Sequence, residues 1–167
     1  MILPIRLFPD PVLRKKSRPV RLAQMGQQKI HTVIENLKET MYAQPSGIGI
    51  AAVQVGITKK IVVLDVSARD PSKHLMLMIN PILLEREGEI LSREGCMSLP
   101  DYTADLKRST RVVVEWQDEE GKRHRKSSSG IEAICLQHEI DHLNGILFID
   151  RVASLKTDVF PRQRRKS

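Results

Sequence analysis

Ile30, Val33, Ile34, Leu37 and Met41 recur at three- and four-residue spacing, with Lys29, Glu35, Lys38 and Glu39 on the remaining positions. That period predicts an amphipathic helix from about Gln24 to Tyr42, on which His31 reads as structural. Ahead of it, Pro4, Pro9, Pro11 and Pro19 forbid a long helix, so residues 1–20 are expected to lie as an extended arm. Behind it, β-branched runs bounded by turn residues predict strands at Lys60–Val66, His74–Asn80 and Arg111–Trp116. Pro81 should end the second strand, with Ile82–Glu85 continuing extended and His74 on the surface. Glu87-Gly88-Glu89 reads as a turn before Ile90 and Leu91. Asp118–Gly121 reads as a hairpin turn into Lys122–Ser127, and Ser127–Gly130 as a loop.

The helical period returns near the C-terminus, where Ile131, Ile134, Cys135, His138 and His142 fall on one stripe. Ser129 with Glu132 reads as a capping box, and Asn144-Gly145 as a left-handed stop. Helix, several strands, then helix points to an α+β fold, with antiparallel or mixed sheets packed around the C-terminal helix, rather than a doubly wound sheet. With no internal repeat and no linker, residues 1–167 read as one domain. From about 153 to 167 the chain reads as a basic tail expected to fray, and Pro161 disfavours a long helix there.

Composition adjusts this picture in three ways. The aromatic share is 4% against 41% hydrophobic, so the core must be built from Ile, Leu, Val and Met. No stretch approaches the ~20 apolar residues of a membrane span, and no basic leader precedes the early prolines, which makes the cytoplasm the default location. The net charge of +7 includes two runs, Arg14-Lys15-Lys16 with Arg18 and Arg162 to Lys166. Such runs are ordinarily solvated surface, and they are compatible with weak attraction to nucleic acid or ribosomes. Without interleaved aromatics or a nucleic-acid motif, no specific DNA binding is expected.

The chemistry centres on Gln137-His138-Glu139-Ile140-Asp141-His142. Two histidines four apart lie one above the other on a helix and can share a divalent metal, while the intervening glutamate faces the metal's water. A catalytic site usually needs a third protein ligand. In a chain with a metal motif, a thiolate ligand is a better reading of Cys96 or Cys135 than a disulfide. Glu94-Gly95-Cys96-Met97-Ser98 presents one thiol on a glycine-loosened segment, although a free cysteine is also commonly a small buried hydrophobe. Gly47-Ile48-Gly49-Ile50-Ala51-Ala52-Val53-Gln54 implies close backbone approach, and lacks the features of a phosphate loop. Gln54, polar in an apolar run, either ties the fold together or is aimed at a substrate.

Those three blocks, in that order and spacing, resemble peptide deformylase, the metal-dependent hydrolase that releases the formyl group of N-formylmethionine as formate from new polypeptides. Pro9–Arg14, Glu39–Ala43 and Ile79-Asn80-Pro81 extend the likeness over about nine-tenths of the chain. Met97 stands where the family usually has leucine. The resemblance implies that Cys96, His138 and His142 hold one metal, Fe²⁺ in the family, with nickel, cobalt or zinc able to substitute. Glu139 is implied as general base, with the Gln54 amide and the Met97 backbone N–H as donors to the oxyanion. A methionine pocket is implied at Ile48, Gly49, Ile131, Ile134, Cys135 and His138, which makes Cys135 pocket wall. Backbone at Ile48 and Gly95 would pair with an extended peptide, and Glu94 would position the loop or substrate. Asp141 reads as a partner orienting a histidine or as an ion-pair residue, or equally as an exposed helix charge.

Two other readings compete. A zinc peptidase using His-Glu-x-x-His needs a third ligand downstream, where only Asp150 and Asp158 offer carboxylates. An inactive ribosome-associated module would be expected to lose Cys96 or Glu139, and both are present.

Overall fold

Strand β2 (Ile61–Leu64) is buried at all four positions, with Ile61 and Val63 on one side and Val62 and Leu64 on the other. A strand covered on both faces must lie between two layers, and the structure, a computed structural model that describes residues 1–162, is layered accordingly. The central sheet has five strands in the order β1 (Gly49–Ala51), β2, β3 (Met76–Glu87), β6 (Arg111–Gln117) and β7 (Arg123–Ser129). One face packs on helix α2 (Gln27–Tyr42) through Ile30, Ile34, Leu37 and Met41. Each of these fully buried side chains gains about 2 kcal/mol over exposure. The other face packs on helix α3 (Gly130–Leu143) through Ala133, Leu136, Ile140 and Leu143. Beyond α3 lies a second sheet, β4 (Ile90–Cys96), β5 (Leu99–Arg108) and β8 (Val159–Pro161), whose core includes Leu106, Leu147 and Phe148. Every strand pairing within the two sheets is antiparallel, so neither sheet is mixed.

Several elements depart from the sequence reading for identifiable reasons. The first helix does not run from Gln24. Gly26, at φ 84°, separates a single turn, α1 (Leu22–Met25), from α2. Pro81 does not end its strand either. Asn80 takes a left-handed φ of 53°, the ladder shifts register between Ile79 and Ile82, and β3 continues to Glu87. At this bulge the Asn80 side chain binds both backbone groups of Val20 (2.7 and 2.9 Å), docking the N-terminal arm. The capping box does not form. Ser129 makes no cap bond because it is still in β7, and Glu132 instead accepts from Ser128 (2.7 Å) and pairs with Lys126 (2.8 Å). Ser127–Ser129 is thus strand rather than loop.

The C-terminal segment is also more ordered than a frayed tail up to Arg162: Tyr102 pairs with Pro161, Thr103 with Phe160 and Ala104 with Val159. The rest of the basic run, 163–167, lies outside the described residues. His31 has a partner invisible in sequence, Glu119 at 3.1 Å, and His74 is exposed. Among the described residues, no helix is long and apolar enough to cross a membrane.

Candidate metal centre

Helix α3 is buried at eleven of its fourteen positions, which is why it can carry polar chemistry through the middle of the molecule. The partly exposed positions include Ile131 and Ile134, so the stripe recognised in sequence faces a cleft rather than the deepest core. Four-residue spacing brings the rings of His138 and His142 together edge to face, with centroids 5.2 Å apart. Cys96 ends β4 in the opposite sheet and brings its Sγ to 3.4 Å from Nε2 of His142. One donor atom from each of Cys96, His138 and His142 lies within 4.8 Å of the others, and all three residues are buried. Both cysteines are free thiols.

This donor set fits a divalent transition metal. A thiolate and two imidazoles suit such ions, and three protein donors leave room for a fourth, open position. Nδ1 of His138 is engaged by Oε1 of Glu94 at 2.8 Å, which turns Nε2 toward the other donors. Phe148 stacks on the same ring, with centroids 6.0 Å apart. Oε2 of Glu139, which lines the same cleft, is buried without a hydrogen-bond partner, an orphaned acceptor beside the donor set.

Behind the donors lies a buried charge network. Arg108 donates to both oxygens of Glu94 at 2.8 Å and to Asp141 at 2.7 Å, and Arg151 reaches Asp141 at 2.6 and 2.7 Å. Burial works to raise the Glu94 carboxyl, but its bonds to Arg108 and His138 prevail and hold it at about 2. Glu94 is thus the carboxylate that orients a histidine, and Asp141 anchors the two arginines. Of the roles open to it in sequence, Asp141 takes that of an ion-pair residue, not that of an exposed helix charge or a histidine partner.

Glu139 has no such compensation. Burial pushes its carboxyl up to about 7, with His138 pulling against the shift and Glu94 adding to it. A carboxyl near neutrality is suited to taking up and returning a proton. Strand β1 passes close by: a Cβ built on Gly49 would lie 3.0 Å from Oε1 of Glu139, so a larger residue there would have to displace the carboxylate by a few tenths of an ångström. Gln54 accepts from the Ala51 N–H through Oε1 (3.0 Å), which turns its amide NH₂ toward Ser98 Oγ (3.1 Å) and Cys96 Sγ (3.5 Å). Met97 sits in the tight turn between β4 and β5 and lines the same cleft.

The cleft therefore gathers Gln54, Glu94, Cys96, Met97, His138 and Glu139 at its floor and sides. Ile48, Gly49, Gly95, Ile131, Ile134 and Cys135 form the rest of its wall. Burial raises the Cys135 thiol well above its usual value, as befits a wall residue. Sequence reasoning missed Arg108, Ser98, Arg69 and Arg162. Arg108 had a signal: Ala104, Leu106 and Arg108 alternate inward along β5, which puts the guanidinium on a buried face. Arg69 and Arg162 reach the cleft from a loop and from the end of β8, and no local pattern marks them.

The polypeptide deformylase family model matches residues 2–158. A peptide deformylase of Thermodesulfovibrio yellowstonii is 46% identical over 162 residues, covering 97% of this chain and 96% of that protein. The crystal structure of peptide deformylase from Thermotoga maritima superimposes with a TM-score of 0.83 at 37% identity, over 92% of this chain and 99% of that one. A peptide deformylase from Synechococcus elongatus, solved in complex with actinonin, matches with a TM-score of 0.84 at 36% identity, over 92% of this chain and 82% of that one. A family match along nearly the whole chain, joined to a buried cysteine and two histidines within reach of one ion, settles the assignment: the chain belongs to the polypeptide deformylases, the metal-dependent hydrolases that remove the formyl group from N-formylmethionine.

Proposed function

We propose that Cys96, His138 and His142 hold one Fe²⁺, which nickel, cobalt or zinc can replace, and that Glu139 is the proton carrier of deformylation. The observation that carries this reading is the mutual approach of the three donors within 4.8 Å, beside a buried glutamate with an unpartnered oxygen. Bound there, the ion would supply Lewis acidity toward water and the formyl carbonyl. Glu139 accepts the proton of the attacking water and returns it to the leaving amine, a role supported by its buried, unpartnered Oε2 lining the cleft beside the donors. The Gln54 amide and the Met97 N–H donate to the formyl oxygen as it gains charge, and one such donor is typically worth ~3 kcal/mol. Glu94 keeps the His138 ring in one tautomer through their 2.8 Å bond.

The methionine side chain enters between Ile48, Gly49, Ile131, Ile134 and Cys135, and the peptide behind it runs extended beside Gly95. The substrates are nascent chains in the cytoplasm. The basic surface supports weak attraction to the ribosome. The whole of residues 1–167 serves as one catalytic domain.

The test is formate release from a formyl-methionyl tripeptide, with metal content determined on the same oxygen-free sample. Turnover that falls on exposure to air supports iron, and turnover indifferent to air supports zinc, nickel or cobalt. One metal per chain with no formate released would overturn the assigned substrate.

A further inference from the structure

Three arginines border the cleft, Arg69, Arg93 and Arg162, and they are not equivalent. Arg93 is engaged: it is held by both oxygens of Asp105 and lies over the Phe160 ring at 4.2 Å. Its charge is matched by Asp105, and its stacking fastens β8 to the sheet. Among the described residues, neither Arg69 nor Arg162 makes an ion pair, and the two carboxylates of the cleft, Glu94 and Glu139, are buried beneath them. Among the described residues, these two guanidinium groups thus stand at the mouth without a carboxylate paired to them.

Arg162 is placed with some care. Its backbone N–H donates to the carbonyl of Asp101 at 2.8 Å, continuing the β5–β8 ladder by one residue. That brings its guanidinium over Gly95, where a Cβ would meet Nη1 at 3.4 Å. Along β4, Ser92, Glu94 and Cys96 point inward, while Arg93 and Gly95 face out. β4 is paired on one side only, by β5, so its other edge can receive an extended peptide. In such a peptide, successive side chains point to opposite faces. With methionine directed inward to its pocket, the second residue must point outward, to the face where Arg162 stands.

We infer that Arg162 is a specificity-determining residue that reads the charge of the residue following formylmethionine, favouring Asp or Glu and disfavouring Lys or Arg. This deepens the proposed deformylase reading and rests on it.

The experiment measures kcat/KM for formyl-Met-Glu-Ser and formyl-Met-Lys-Ser on the metal-loaded full chain and on Arg162→Gln, Arg162→Glu and Arg162→Lys. The wild type is expected to prefer the Glu peptide by about three- to tenfold, the scale of an exposed ion pair and its repulsive counterpart. Arg162→Gln should bring the ratio toward one, Arg162→Glu should invert it, and Arg162→Lys should retain its sign. Raising the salt should flatten the wild-type ratio. A wild-type ratio of one, or a ratio unchanged by Arg162→Glu, overturns the inference while leaving deformylation standing. Absence of formate from both peptides in the wild type overturns both.

Discussion

Arg108 meets Glu94 in a two-pronged pairing, both bonds 2.8 Å long, beneath the ring that Glu94 orients. The remaining guanidinium nitrogen is taken by Asp141, so Arg108 bridges two buried carboxylates, the second of them also paired with Arg151. Removing one partner of such a group leaves uncompensated charge in a medium that solvates it poorly. Arg108→Met is therefore expected to destabilise the metal-free protein by about 3–5 kcal/mol. Urea unfolding checks this, and a midpoint unchanged from wild type would show that the network is structurally idle.

Glu139→Gln preserves shape while abolishing proton uptake. Its turnover should fall by roughly 10²–10⁴-fold with metal content retained, the range associated with a positioned acid–base group. Gly49→Ala tests the same carboxylate from the opposite side, since the added Cβ would press on it at 3.0 Å. Its turnover should drop while its far-UV spectrum stays native. Wild-type rates in both variants would remove Glu139 from the chemistry.

The two cysteines should separate cleanly. Cys96→Ala is expected to lose tightly held metal, whereas Cys135→Ala should keep it, because only Cys96 stands with the two histidines. Elemental analysis after dialysis against a chelator gives the comparison. Equal metal in both variants would place the third ligand elsewhere.

A pH effect is expected away from the metal, at Tyr42. Its hydroxyl donates to Asp65 at 2.5 Å, bracketing the loop that leads into β1. Burial, then the Asp65 bond and charge, push its pKa from near 10 up to about 12. The folded state holds this proton more tightly than the unfolded chain, so the bond's contribution is complete below about pH 10 and disappears as the pH rises through about 12. Absorbance titration of the phenolate should show the high midpoint, and Asp65→Asn should lower it. A midpoint unaffected by Asp65→Asn would remove the carboxylate as a cause.

Legibility in the sequence followed the range of the interactions. Ile30 to Met41 announced a helix because its period is local, and the β-branched run at Ile61–Leu64 announced a strand for the same reason. His138, Glu139 and His142 could be grouped because one helix sets their spacing. Residue types and the family likeness together suggested Cys96. The bulge at Asn80-Pro81 defeated a local rule, since Pro81 ends a regular strand but not one whose partner shifts register to admit it. Glu94 and Asp141 were both recognised as polar partners, yet their assignments depended on Arg108, which sits 14 residues from one and 33 from the other. Arg162 was read as part of a loose tail because β8 owes its existence to pairing with β5, which a three-residue strand cannot signal alone.

The three residues proposed to hold the metal come from different layers of the protein: Cys96 from the three-stranded sheet, His138 and His142 from the helix that backs the five-stranded one. An ion gripping Cys96 and His142 ties together positions 46 residues apart. In polymer terms that is a cross-link. By the loop-closure relation used for disulfides, it would withdraw about 4 kcal/mol worth of freedom from the unfolded chain. The reactive ion would then serve also as the molecule's removable staple, and oxidation of the Cys96 thiolate would loosen the seam between its two sheets as well as silence its chemistry.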